Sequence, residues 1–127
     1  MDRVILRKPK LFFETDPNPS HLTLDDGKQL HRIIPWLHFV EARWEYAELD
    51  VIKMEIGDWL VHFRGHNLEP LVRAIGNRTL VFVRAQPELM RDRERDIDTF
   101  VTELQFLHPP ERTSVKRGGQ MEIDLRG

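Results

Sequence analysis

Arg64-Gly65-His66-Asn67 brings together residue types that can hold an anion. Gly65 permits backbone conformations closed to other residues. Asn67 stands where a helix should begin, and a helix start offers unpaired N–H groups with a partial positive charge. Arg64 adds a full charge, and His62 and His66 would titrate nearby. The chemistry this supports is the binding of a carboxylate or phosphate at the strand-to-helix turn 64–67. The plainer alternative is that Gly65 and Asn67 only make the turn and cap the helix.

Six histidines raise the question of a metal. His62 and His66 are four residues apart, a spacing that brings two ligands together on a helix. In an extended strand the same spacing separates them by roughly 13 Å, too far for one ion. His62 is also expected beside Lys53, which repels a cation. His31 and His38, with Glu41 beyond them, could form an acid–base pair, but nothing in their spacing requires one. No phosphate-binding glycine–lysine loop, dinucleotide fingerprint or paired histidine–glutamate helix motif is present. The sequence therefore assigns no catalytic residue, no metal and no cofactor, and leans away from an enzyme.

Pro35-Trp36-Leu37 suggests recognition rather than reaction. Tryptophan is enriched where proteins bind one another, so an exposed corner here would anchor a protein partner. The same three residues could equally close one end of the core.

These groups are positioned by a meander over residues 39–64. Val40, Ala42, Trp44 and Tyr46 alternate with Glu41, Arg43 and Glu45. Ile52, Met54 and Ile56 repeat the pattern, and so do Trp59, Val61 and Phe63, as half-buried strands require. If Glu48-Leu49-Asp50 is a three-residue loop, Trp44 faces Met54 and Tyr46 faces Ile52, while Arg43 faces Glu55 and Glu45 faces Lys53. Each such pair favours the register by about 0.2–1 kcal/mol. Gly57-Asp58 is a two-residue turn in which glycine supplies positive φ, setting Ile56 by Trp59, Met54 by Val61 and Ile52 by Phe63. Apolar residues at even positions from 40 to 56 and odd positions from 59 to 63 should line one dry interior.

Residues 4–13 read as an edge strand or arm interrupted by Pro9, followed by the stiff connector Asp16-Pro17-Asn18-Pro19. Residues 21–30 read as a hairpin around Asp25-Asp26-Gly27, with Leu22 facing Leu30 in preference to His31. Leu68, Leu71, Val72 and Ile75 form one stripe of a short helix at 68–75, capped by Asn67 and stopped by a left-handed turn at Gly76-Asn77. Residues 79–85 are apolar on both faces and read as an interior strand. Residues 87–98 read as a charged loop; in 97–107, Ile97, Phe100, Val101, Leu104 and Leu107 fit a helix stripe, while Thr99, Val101, Thr102 and Phe106 favour a strand pairing with 79–85, the preferred reading. In the polar tail, Met121-Glu122-Ile123-Asp124-Leu125 alternates and could add a strand to its own sheet or a neighbour's.

A chain of 127 residues is expected to form one domain over 1–110, with 111–127 a tail that is mobile or adds an edge strand. The absence of cysteine excludes a disulfide framework and thiol catalysis, and suits a cytoplasmic location. No apolar run approaches the ~20 residues of a membrane span. Nineteen basic and 21 acidic residues are interspersed, with a net charge of −2, which disfavours nucleic acid as a partner. The expected fold is α+β: a mainly antiparallel twisted sheet or partly closed β-barrel of about five to seven strands with one short helix. The expected role is a non-catalytic intracellular module that forms a homo-oligomer or binds a protein partner. The alternative is a small-molecule binder or enzyme holding an anionic ligand at 64–67.

Overall fold

The meander's second hairpin forms as its alternation demands. In a computed structural model that describes residues 11–89 and 97–109, β5 (Val51–Ile56) and β6 (Trp59–His66) pair antiparallel. Ile56 faces Trp59, Met54 faces Val61 and Ile52 faces Phe63. Gly57 has φ +59°, the left-handed conformation the tight turn needs. Ile52, Met54, Ile56, Val61 and Phe63 are all buried in the core.

The first hairpin departs from expectation. Its outer strand, β4 (Phe39–Arg43), ends before Trp44, and Ala42 rather than Trp44 faces Met54. The register has moved by two residues, so Glu41 faces Glu55 and Arg43 faces Lys53. The cause lies upstream. Trp36, in a 3-10 turn at Trp36–His38, is buried and its indole Nε1 donates to the Leu80 carbonyl at 2.8 Å. Its backbone N–H donates to Ser20, and the Gly57 N–H donates to the His38 carbonyl. Burying a tryptophan and satisfying its N–H outweighs surface pairs worth under ~1 kcal/mol each. A seven-residue connection, 44–50, takes up the difference: the Trp44 Nε1 donates to the Leu49 carbonyl, and Lys53 reaches Glu48 at 3.2 Å and Glu45 at 3.9 Å. Val40 and Tyr46, expected in the interior, are 54% and 99% exposed.

The expected single sheet or part-closed barrel is instead two sheets of four strands each among the described residues, more strands than expected and not closed. The second sheet has the order β4-β5-β6-β8, with β8 at Phe100–Leu107. The first comprises β1 (Phe13–Thr15), β2 (His21–Asp25), β3 (His31–Pro35) and β7 (Leu80–Arg84) in the order β1-β7-β2-β3. β7 is interior, as its two apolar faces require, and runs parallel to β2. Residues 100–107 are a strand, but they pair with β6 and not with β7. The β2–β3 hairpin exists with a longer loop than expected, so Leu22 faces Ile34 rather than Leu30. Asp26 explains the loop: its Oδ1 accepts the N–H groups of Lys28, Gln29 and Leu30. Those bonds hold its carboxyl below the ordinary carboxylate value.

Helix α1 (Glu69–Gly76) follows β6. Leu68, Leu71, Ala74 and Ile75 are buried, joining residues of both sheets in one core. Its N-cap is Leu68 with no side-chain cap, not Asn67. Its left-handed stop is Arg78, at φ +56°, not Gly76 or Asn77. Between the sheets, Arg32 of β3 stands across from Leu24, and its guanidinium lies 3.9 Å from the centroid of the Trp59 ring, a cation–π contact that makes a charge tolerable there. The expected features at 4–10, 90–96 and 110–127 lie outside the described residues.

Candidate functional site

The four residues 64–67 do not form a turn together. Arg64, Gly65 and His66 remain in β6, facing Glu103, Val101 and Phe100 across a bulge. Gly65 is there for want of space: a Cβ would collide with the Phe100 carbonyl oxygen and stand 2.9 Å from the Val101 Cα. Its N–H donates to the Asp50 carbonyl. Only Asn67 has positive φ, at +52°, and it ties the end of β6 to the segment before β8. Its Nδ2 donates to the Ile97 carbonyl, and its own carbonyl accepts the Thr99 hydroxyl at 2.7 Å. Arg64 is exposed, with Nε 3.7 Å from Glu103 Oε1. The His66 ring lies against Phe100, with ring centroids 5.5 Å apart.

His62 shares the outer face of β6 with Arg64, opposite Lys53 and Gln105. Partial burial, and then the charges of Lys53 and Arg64, push its pKa below the ordinary 6.5. His31, considered as half of an acid–base pair with Glu41, instead places Nε2 2.9 Å from Asp25 Oδ2, which also has Arg84 Nε at 3.7 Å. Among the described residues no three His, Asp or Glu side chains converge as a metal site requires.

Pro35-Trp36-Leu37 takes the second of its two expected roles. Trp36 closes the core and stacks obliquely on Phe39, with ring centroids 5.4 Å apart. Leu37 alone of the three points outward, at 85% exposure.

The feature that the periodicity concealed lies beside β4. Because β4 ends at Arg43 and Trp44 lies outside the strand, no described residue covers the inner face of this edge. Phe39, Ala42, Trp44 and Ile52 form one wall of an open groove, and Val72, Ile75 and Gly76 of α1 form the other. It encloses about 370 Å³, with an apolar lining flanked by Glu41 and Arg43. β4 pairs with β5, and its other edge is unpaired among the described residues. Leu37, Val40, Tyr46 and Leu49 are exposed on and around β4. The sequence signal that could have located the groove is Val72, an apolar residue at the margin of the helix stripe.

Fold and surface together define a two-sheet α+β protein with an open apolar groove along one sheet edge. Comparisons with protein-family models, curated proteins and solved structures find no match to this chain. Among the described residues no helix is long and apolar enough to cross a membrane.

Proposed function

We propose that this protein is a non-catalytic module that self-associates or binds another protein through β4 and the adjoining groove. One observation carries the reading: the edge of β4 that is unpaired among the described residues and the apolar groove between β4 and α1 lie side by side. A strand laid along such an edge gains main-chain hydrogen bonds and buries alternate side chains. Small-molecule sites, by contrast, add convergent polar groups to an apolar pocket. Here the flanking Glu41 and Arg43 satisfy one another at 2.8 Å.

Anion binding at 64–67 has less to support it. Arg64 lies near Glu103, and Glu69 places a negative charge in the first turn of α1. Sedimentation velocity across the micromolar range tests the leading reading, beginning with self-association. A mass rising from 15.1 kDa towards twice that value, and returning to one chain in Val72→Glu, is the expected result. A constant single-chain mass rejects self-association. Unchanged hydrogen exchange at residues 39–44 when lysate proteins are added would then reject a partner at this edge as well.

A further inference from the structure

β4 faces like charges across its ladder with β5, and against a second copy of itself it can face opposite ones. Glu41 faces Glu55 and Arg43 faces Lys53, like beside like, on the outer face of the β4–β5 ladder. The remaining edge of β4 is unpaired among the described residues. A two-fold axis can place an identical strand there antiparallel, and only a few registers keep the inner and outer faces aligned. Centring the axis on Glu41 sets glutamate against glutamate. Centring it on Arg43 sets arginine against arginine. Centring it on Ala42 sets Glu41 against Arg43 of the second copy and Arg43 against its Glu41, with the two alanines face to face.

We propose, resting on the self-association reading above, that the occupant of the β4 edge is a second copy of this chain, paired antiparallel about Ala42. The Glu41–Arg43 contact within one strand, 2.8 Å long and half-exposed on both sides, exchanges for two contacts between copies. The inner face of the joined strands covers both grooves, and Val40 of each copy approaches Trp44 of the other. The result is one continuous sheet across an isologous dimer.

The register predicts which substitutions cross-react. Glu41→Arg alone sets arginine against arginine in its homodimer, and Arg43→Glu alone sets glutamate against glutamate. Each raises the dimer dissociation constant at least about tenfold. Mixed together, the two variants are complementary and regain wild-type affinity as a heterodimer. The second measurement does not depend on charge. The chain has no cysteine, so Ala42→Cys supplies a single thiol. Residues opposed in an antiparallel pair have Cα atoms roughly 4.5–5.5 Å apart, within the range a disulfide spans. Mild oxidation should link Ala42→Cys into a covalent dimer at least about tenfold faster than Tyr46→Cys, whose position lies four residues from the axis.

A wild-type dimer with unaffected charge variants and no preferential cross-link overturns the register while leaving self-association standing. A wild type that stays single-chain at all concentrations overturns both. Protection of β4 amides in such a monomer would mean that a segment of the same chain covers this edge instead. If circular dichroism finds a charge variant unfolded, the cysteine pair decides alone.

Discussion

β5 has two neighbours, and it makes a different kind of ladder with each. Towards β6 it forms six register pairs in which Ile52–Phe63, Met54–Val61 and Ile56–Trp59 are apolar against apolar. Towards β4 the ladder is short, bulged after Phe39, and sets like charges opposite one another. The first ladder is held by its own side chains and a glycine turn. The second is held from one end by a tryptophan that belongs to the core. Local pairing rules therefore govern a strand pair only where no distant anchor competes.

The largest test of that contrast is truncation on each side. Phe63→Ala should cost about 3–5 kcal/mol in urea unfolding, since the side chain is wholly buried. Trp44→Ala, which removes a larger but only partly buried group, should cost less than half as much. Equal losses would erase the distinction between the ladders.

Trp36→Phe keeps the ring's apolar bulk but leaves the Leu80 carbonyl without the indole donor. A loss of about 1–3 kcal/mol is expected, with faster amide exchange in residues 39–43 than in 52–56. Uniform loosening of both segments would mean that Trp36 does not anchor the β4 register.

Gly65→Ala should destabilise by about 1–3 kcal/mol, because the new methyl meets backbone that cannot yield cheaply. Gly76→Ala has open space around it and should be neutral or stabilising by up to ~1 kcal/mol. Thermal melts of the two variants report opposite signs if Gly65 serves close packing between β6 and β8.

The smallest effect is pH-dependent. Folding lowers the pKa of His62, so the folded state resists its protonation. Its contribution to stability is complete above the unfolded value of 6.5 and is lost as the pH falls below it. His62→Gln should flatten the decline of the melting temperature on that acidic side relative to the parent chain. An unchanged profile would show that Lys53 and the partial burial of His62 are not felt.

Several elements were legible from residue order because their causes are local. Gly57-Asp58 fixes a tight turn by backbone sterics, and alternation at 52–56 and 59–63 sorts two faces by hydrophobicity alone. The stripe through Leu68, Leu71 and Ile75 marks a helix whose ends moved by one residue. The anion site at 64–67 rests on residue types and an assumed turn. Whether Gly65 marks a flexible corner or a tight strand crossing depends on Phe100 and Val101, more than 30 residues away.

Chain order thus marked the strands at 51–56, 59–63 and 79–85, the helix, and the pairing of the β5–β6 hairpin, since each follows from interactions among near neighbours. Contacts between distant segments decided the rest. The pull of Trp36 on the start of β4, the choice of β6 over β7 as the partner of β8, and the division into two sheets all arise from burial that sequence spacing does not record. The open groove beside α1 exists for that reason: a side chain anchored in one sheet slid the edge of the other.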